Sequence, residues 1–361
     1  MKISRRAFLL TAAAAACSRH DASPLQRAVD YLWAQQSVDG GFHSATYGLL
    51  RSGQSLTPFV LNALLSVPDS LVRPRPAGLD RAFAFLKRNT TEDGEIGRMD
   101  ETAADYPNYA TALAVTAMVK ARRAGRSPDI ERMIGHLRAQ QFSEAGDWRP
   151  DDPPYGAWGM GGPVHRRPDT GHVDLSMTRC VLEALQAAGV PSSDPAVTKA
   201  LVYLKRSQNP DGGFFFSAVN PEINKAGETN GGFISYGTAT ADGVLALRAA
   251  GIDESDERIA GALQWLRGHH NAEHASGFEG TARESWGSGL RFYYAYVISR
   301  AMPSLPVTLP SQNADGSFRN PNKMVKEDDP LIATSCAVYA LCRGQGNGVP
   351  GTHPEFSLKN S

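Results

Sequence analysis

The sequence predicts an all-α protein built from a repeated pair of helices, and two alternating patterns support this prediction. The first pattern is a helical segment with Thr or Gly, then Ala six residues later, then Leu, Met or an aromatic residue. Its six copies start 45 to 67 residues apart, at Thr57, Thr111, Thr178, Thr240, Gly289 and Thr334. Repeats of this length are typical of arrays of a single supersecondary unit.

The second pattern is an amphipathic helix that precedes the first pattern. In its first copy, Leu25, Val29 and Leu32 fall three and four residues apart, which places them on one helical face. Four further copies begin their apolar stripes at Leu79, Ile130, Val197 and Ile259. Each unit is therefore expected to contain an amphipathic helix and a second, more apolar helix.

A turn motif joins the two helices of a unit. It reads Gln-x-x-Asp-Gly-Gly-Phe at Gln36 to Phe42, and the third copy is expected to end at Gly146-Asp147-Trp148. A last copy, residues 312–318, has no long helix before it. Asp-Gly favours a tight turn and the aromatic ring can fix that turn against the helices, so we interpret the motif as structural.

These turns between paired helices resemble the repeats of squalene and terpenoid cyclases and of protein prenyltransferase β subunits. The resemblance covers residues 24–345. It implies an α/α toroid of five to six helix pairs, in which an outer ring of helices surrounds an inner ring and a central cavity. It also implies an isoprenoid-like or other apolar small molecule as the ligand.

Composition agrees with one large domain. The chain has 361 residues, of which 42% are hydrophobic, and a single toroid accounts for nearly all of them. Lys plus Arg and Asp plus Glu both number 37, so we expect no nucleic-acid partner. We expect a monomer, with no apolar run after residue 23 long enough to span a bilayer.

The first 23 residues are expected to direct export. Ser4-Arg5-Arg6-Ala7-Phe8-Leu9-Leu10 and the alanine run after it are typical of a twin-arginine signal. The run ends at Cys17, which resembles the lipidated cysteine of a bacterial lipobox. We expect a lipid-anchored protein on the periplasmic side of a bacterial membrane. The alternative is an ordinary cleaved signal with an incidental cysteine. Residues 346–361 are predicted to be a disordered tail.

No metal or cofactor is predicted. Cys336 and Cys342 lie six apart on one predicted helix, about 9 Å along its axis, so we expect them and Cys180 to be free thiols. Protein prenyltransferases resemble one another in a zinc site of Asp-x-Cys and a distant His. The nearest counterparts here, Gly287-Ser288-Gly289 and Ala333-Thr334, offer no zinc ligand.

The Thr frame also predicts which side chains face the cavity. Offsets −2, +2 and +5 from the Thr lie opposite the stripe that packs on the outer ring. The charged residues at these offsets are Glu183, Asp242 and Arg291. We predict that they line the cavity, with an internal ion pair from Arg291 to either acid as the alternative. The frame also assigns to the lining Tyr109, Ser176, Tyr294 and Tyr339.

The position of Ser176 bears on whether the protein could start a cyclisation by protonation. Cyclases that begin by protonation resemble one another in an Asp-x-Asp-Asp-Thr motif whose central Asp is the acid. The best match here is Asp174-Leu175-Ser176-Met177-Thr178, in which Ser176 holds the acid's position. A hydroxyl is too weak an acid to protonate an alkene, so this route of cyclisation is not expected.

The loops before the inner helices supply the remaining candidates, because binding groups are often placed on loops of a rigid scaffold. Trp158, Tyr236 and Trp286 are predicted to contact a substrate. His172 and Asp174 could form a catalytic acid–base pair, and Asp174 could instead cap its helix.

Three classes of function remain open. The first is a cavity protein for an isoprenoid or other apolar molecule, which, if it is an enzyme, would be a transferase or isomerase. The second is a periplasmic glycan-active enzyme that uses Glu183 and Asp242, or His172 and Asp174, as acid and base. The third is a non-catalytic envelope scaffold that keeps the ring and has lost the site.

Overall fold

A computed structural model describes residues 22–73, 75–96, 105–121, 127–229 and 231–344. Within them the chain forms twelve α-helices. They are α1 (Pro24–Ala34), α2 (Leu56–Leu64), α3 (Pro76–Arg88), α4 (Pro107–Lys120), α5 (Pro128–Ala139), α6 (Leu175–Ala187), α7 (Pro195–Arg206), α8 (Gly237–Ala249), α9 (Glu257–Gly268), α10 (Ser285–Gly289), α11 (Arg291–Ala301) and α12 (Pro330–Gly344).

Six helices form a closed inner ring. In order around the ring α2, α4, α6, α8, α11 and α12 each pack on the next, and α12 packs on α2. Five helices, α1, α3, α5, α7 and α9, lie against this ring from outside. A sixth outer helix is missing before residues 312–318, in agreement with the sequence pattern. The predicted all-α toroid of five to six helix pairs is confirmed.

Local sequence explains where the outer helices begin. The side chains of Ser23, Ser127 and Asp194 each accept a hydrogen bond from a backbone N–H in the first helical turn. Each of these residues is followed by proline, whose fixed φ and missing N–H suit the first helical position. Three of the five outer helices, α1, α5 and α7, therefore start at capped Ser-Pro or Asp-Pro pairs.

The repeated threonine fastens each turn to its inner helix. Thr57 Oγ1 accepts a hydrogen bond from the backbone N–H of Phe42 at 2.9 Å. The same bond recurs at four further buried threonines, Thr111, Thr178, Thr240 and Thr334. Gly289 has no hydroxyl to repeat it, and its helix is broken between α10 and α11. The period detected in the sequence is therefore the period of this buried bond.

The glutamine of the turn motif joins neighbouring units. Gln36 Nε2 donates to Gly40 O at 3.0 Å and to Gly78 O of the next outer helix at 2.9 Å. Gln312 makes the corresponding pair of bonds to Gly316 O and to Pro24 O, at 2.8 and 2.9 Å. Because Pro24 begins the first outer helix, this last glutamine closes the ring. The structural interpretation of the motif agrees with these contacts.

The third turn lies elsewhere than the sequence pattern predicts. Gln141 Nε2 donates to Gly156 O and Ala196 O, so the turn ends at Trp158 and not at Trp148. Trp148 belongs to an insertion that packs its own small cluster with Phe142 and Tyr155. The prediction of Gly146-Asp147-Trp148 as the turn is therefore wrong. The segment Gly-x-Trp occurs twice, first in the insertion and again at Gly156-Ala157-Trp158, and only the second occurrence forms the turn.

The rest of the described chain adds little regular structure. Two-residue strands, β1 (Glu228–Thr229) and β2 (Gly232–Phe233), form an antiparallel ribbon. Cys180, Cys336 and Cys342 are free thiols, as expected. No helix in the described ranges is long and apolar enough to cross a membrane. The predicted signal, Cys17 and the predicted tail at 346–361 lie outside the described residues.

Candidate functional site

A cavity of about 340 Å³ lies inside the inner ring, at the end where the inner helices begin. All six inner helices contribute side chains to it, mostly from their first turns. The apolar and aromatic lining consists of Leu50, Leu56, Phe59, Tyr106, Tyr109, Met160, Met177, Phe216, Tyr236, Leu290, Tyr293, Val325, Ile332 and Cys336. The polar lining consists of Ser55, His172, Asp174, Ser176, Lys225, Thr238, Lys326 and Glu327.

The Thr frame predicts one face of this lining well. Of the six side chains at offset −2, five line the cavity, namely Ser55, Tyr109, Ser176, Thr238 and Ile332. The exception, Gly287, falls in the unit where the frame is broken. Offset +5 lies further along each helix, beyond the cavity, because the cavity occupies only one end of the ring. Tyr109, Ser176 and the loop residue Tyr236 all line this cavity.

His172, Asp174 and Ser176 form a hydrogen-bonded group in the cavity wall at the start of α6. Asp174 begins α6, and its Oδ1 accepts from Met177 N at 2.8 Å and from Ser176 Oγ at 2.7 Å. His172 Nε2 lies 2.9 Å from Asp174 Oδ2, and the His172 side chain is 31% exposed. Burial raises the pKa of Asp174, but the bonds from His172, Met177 and Ser176 outweigh it, so the pKa lies below its usual value. Asp174 is therefore both a helix cap and the partner of a solvent-accessible histidine.

Lys225 and Tyr236 present polar groups without a partner. The Lys225 ammonium lies 3.4 Å from the ring centre of Phe216 and forms no ion pair within the described residues. Burial lowers the pKa of Lys225 to about 8, although the charges of Asp174 and Asp242 act in the opposite direction. The buried Tyr236 hydroxyl has no hydrogen-bond partner in the described part of the chain. Both groups are free to bind a ligand.

Glu327 is a carboxylate that sequence reasoning missed. Its two oxygens accept from the backbone N–H groups of Phe292 at 2.9 Å and Tyr293 at 2.7 Å, at the start of α11. Asn320 Nδ2 donates a third bond at 2.8 Å. Burial raises the pKa of Glu327 to about 7 in spite of these bonds. Glu327 thus caps α11 from a distant loop, which no local motif in the sequence indicates.

A buried ionic network closes the cavity from below. Arg179 is fully buried, with Nε 2.7 Å from Asp242 Oδ1 and Nη1 2.7 Å from Glu183 Oε2. Arg300 Nη2 lies 2.7 Å from Glu183 Oε1. Tyr293, which lines the cavity, donates its hydroxyl to Asp242 at 2.9 Å. The network and the cavity therefore meet at Tyr293.

This network corrects the predicted environment of the charged residues. Glu183 and Asp242 lie inside the ring, but they are paired with arginines and do not line the cavity. Arg291 lies at the start of α11, where its Nη2 is directed at Thr308 O, and it pairs with neither acid. The true partner, Arg179, sits at offset +1 from Thr178, between the faces that the frame assigns.

Four predicted aromatic contacts also lie away from the cavity. Trp158 is the buried aromatic of the third turn and donates its indole N–H to Leu137 O. The Tyr294 hydroxyl lies 3.2 Å from His270 Nδ1, on the outer side of α11. Tyr339 packs on Tyr296 beside the ionic network, at offset +5 and therefore below the cavity. Trp286 belongs to the short α10 and packs against the core.

The described residues contain no group of three or more His, Cys, Asp or Glu side chains placed to hold a metal ion. His269 and His270 are engaged with Trp265 O and Tyr294, and His274 with Asn271.

Two models of known protein families match the chain, and one of them describes an α/α toroid like the ring seen here. The model of the prenyltransferase alpha-alpha toroid domain matches residues 5–147, and that of the squalene-hopene cyclase C-terminal domain matches residues 170–308. Together the two matches span well over half of the chain. The chain belongs to the squalene/terpenoid cyclase and prenyltransferase superfamily of α/α toroids.

Relatives of this toroid include enzymes and solved structures. The drimenyl diphosphate synthase of Streptantibioticus cattleyicolor is 28% identical over 195 residues, which cover 53% of this chain and 32% of the relative. The type II terpene cyclase MstE of Scytonema, bound to merosterolic acid A, has a TM-score of 0.55 at 15% identity, covering 89% of this chain and 96% of MstE. The unsaturated glucuronyl hydrolase of Bacillus sp. GL1 has a TM-score of 0.56 at 13% identity, with the same coverage.

These structural similarities concern the fold, because both identities are low. The match to the curated synthase spans about a third of that protein's length.

Proposed function

We propose that this toroid binds an isoprenoid-like or other apolar small molecule in its central cavity. The observation that carries the proposal is the cavity of about 340 Å³, whose walls are mostly aliphatic and aromatic. Small-molecule sites typically have volumes of about 300–1,000 Å³, apolar walls and a few convergent polar groups. The terpenoid relatives of the chain support the same class of ligand.

The lining also favours one orientation of the ligand. His172 and Asp174 lie at the start of α6 and Lys225 lies near Asp174, while Leu56 and Phe59 of α2 and Ile332 of α12 supply apolar wall from across the ring. An apolar chain placed along that wall would present its polar end to the histidine and the lysine. A molecule with a hydrocarbon body and one polar terminus therefore suits the site best.

We do not expect a proton to come from the position that holds the acid in cyclases of this superfamily. Ser176 stands there, and its hydroxyl already donates to Asp174. The group that can exchange a proton with a ligand is the His172–Asp174 pair, in which the carboxylate holds the imidazole at 2.9 Å. We propose proton transfer at a functional group of the ligand as its role, in an isomerase or transferase reaction.

We propose further that the protein is exported and lipid-anchored through Cys17. The twin-arginine sequence and the small residues before Cys17 support this location. Incorporation of labelled palmitate by the wild type, and its loss in Cys17→Ser, is the expected result. Wild-type protein that stays in the cytosol and carries no label would contradict the proposal.

The two alternatives receive less support. An open cavity disfavours a scaffold that has filled its own centre. A glycan-active enzyme would need acids free to reach the sugar, yet Glu183 and Asp242 are held by Arg179. The His172–Asp174 pair stays available to such an enzyme, but walls of this kind offer a glycan few hydrogen bonds.

Titration of the purified protein with farnesol tests the proposal. The Trp and Tyr fluorescence should change saturably, and Ile332→Trp, which fills the cavity, should weaken binding at least about tenfold. Val38→Trp is the matched control, since Val38 is fully exposed and its replacement should leave binding unchanged. Equal affinity in the two variants, or no saturable binding to the wild type, would contradict the proposal.

A further inference from the structure

Lys225 is held in the cavity wall by a rigid loop. Arg283 Nη1 donates to the backbone oxygens of Asn224 at 3.1 Å and Lys225 at 3.2 Å. The buried Asn224 side chain in turn accepts from Phe216 N and Ser217 N, both at 2.9 Å. The loop is joined to the inner ring where Leu175 N donates to Phe216 O. The lysine is thus positioned by contacts that do not involve its own amine.

The amine itself is unused. The carboxylates of the lining already have hydrogen-bond partners: Asp174 accepts from His172 and Ser176, and Glu327 accepts from two backbone N–H groups and Asn320. Lys225 Nζ has only the face of the Phe216 ring, and no ion pair or hydrogen bond in the described part of the chain. Lys225 is half-buried in a mostly apolar wall, where an ammonium without an anion is disfavoured relative to the neutral amine.

We propose that Lys225 is a nucleophilic amine that captures the carbonyl group of an apolar aldehyde as a Schiff base. The proposal rests on the proposed function, because the aldehyde must first enter the same cavity. Lysines in apolar surroundings are the usual source of such adducts with carbonyl compounds.

The chemistry balances without an oxidant or reductant. The lone pair of the neutral amine attacks the carbonyl carbon, and a proton moves from nitrogen to the former carbonyl oxygen, which gives a carbinolamine. Loss of that oxygen as water forms the C=N bond. His172 can lend the proton that the leaving hydroxyl needs and recover it from nitrogen. The Tyr236 hydroxyl, which has no partner in the described ranges, is available to donate to the carbonyl oxygen.

The acid–base state of the amine agrees with this role. Burial lowers the pKa of Lys225 to about 8. At pH 7.5 about a quarter of the amine is then neutral, against about 0.1% for a lysine with the reference pKa. The neutral fraction of the Lys225 amine therefore exceeds that of a reference lysine about two hundredfold, and labelling of Lys225 is expected to be correspondingly faster, before any gain from binding.

Reductive trapping tests the inference. The full-length protein is incubated with farnesal and cyanoborohydride, and the adduct is located by intact mass and peptide mapping. One adduct at Lys225 is expected, with a rate that rises with pH to a midpoint near 8. An excess of farnesol should suppress it. Lys225→Arg, which keeps the charge, should lose the adduct, and Lys326→Met, which changes the other lysine of the lining, should keep it.

Two other outcomes separate the inference from the proposed function. If farnesol binds saturably but farnesal labels Lys225 no faster than surface lysines, the amine is not the proposed nucleophile and the cavity proposal stands. If neither molecule binds, both proposals fail. Because peptide mapping of the wild type gives this answer alone, a misfolded Lys225→Arg variant would not obscure it.

Discussion

Removal of Arg179 should destabilise the toroid more than any other single change in the ionic network. In Arg179→Met, Glu183 keeps its partner Arg300, but Asp242 keeps only the hydroxyl of Tyr293. Breaking a buried pair by removing one partner typically costs about 3–5 kcal/mol. We expect a loss of that size in the free energy of unfolding at pH 7.5.

The pKa of Asp242 shows in which pH range the charge of this carboxylate destabilises the folded protein. Burial raises it from 3.8 to about 6 even though Arg179 lowers it. Because this folded-state pKa lies above the unfolded value, the penalty develops as pH rises from about 4 to 6, and it amounts to about 3 kcal/mol at neutral pH. Without Arg179 the pKa of Asp242 rises further. The loss of stability from ionising Asp242 then continues to grow above pH 6, whereas in the wild type it no longer increases there.

Urea denaturation followed by circular dichroism at pH 5.0 and 7.5 measures both effects. The deficit of Arg179→Met relative to wild type should be smaller at pH 5.0. The double variant Arg179→Met/Asp242→Asn should recover at least half of it. Arg132→Met, which removes an exposed ion pair with Asp129, should cost less than about 1 kcal/mol. A deficit below about 1 kcal/mol, or one independent of pH, would mean that Arg179 does not stabilise the buried Asp242 carboxylate.

Three further changes test the ring and the cap. Gly156→Ala should lower the free energy of unfolding by at least about 3 kcal/mol in the same denaturation assay, because the new Cβ would lie 2.0 Å from Lys199 O. Gly189 is the control, because it also has a positive φ but lies in open space, and Gly189→Ala should cost about 1 kcal/mol. Gln312→Ala removes the bonds to Pro24 O and Gly316 O and should lower stability by about 1–3 kcal/mol, with faster hydrogen exchange in α1. An unchanged exchange rate would argue against ring closure through this residue. Asp174→Asn should be about 1–2 kcal/mol less stable than wild type at pH 7. Because the pKa of Asp174 is lowered on folding, that difference should narrow as pH falls below about 4 in paired titrations, and a constant difference would contradict the assignment.

The fold was predictable because its repeated bonds leave repeated residues. Thr57 and its counterparts hold one buried bond to each turn, and Gln36 and its counterparts join each unit to the next. Each role favours one residue type at the same place in the unit, so both patterns are visible in a single sequence. The prediction fails where the chain substitutes another device, as in the unit of Gly289, where the cap of α11 comes from Glu327.

The site was predictable only where the repeat reaches it. Offset −2 located Ser176 and Tyr109 correctly, since these positions sit in the first turn of regular helices. Lys225 lies in a loop whose course is fixed by Asn224 and by Arg283, which is distant in sequence. Neither residue belongs to the repeated patterns. Arg179 was missed for a different reason: the helical angle places it between two neighbours, and only the packed ring shows that it pairs with Asp242 across α6 and α8.

The cavity at the start of the inner helices is proposed to bind an apolar chain. A crystal structure of the wild-type protein grown with farnesol would show this binding. We expect continuous ligand density between Phe59, Tyr109 and Tyr293, with the hydroxyl end toward His172 and Lys225. A cavity that holds only water at saturating farnesol, or farnesol bound solely on the outer surface of the ring, would contradict it.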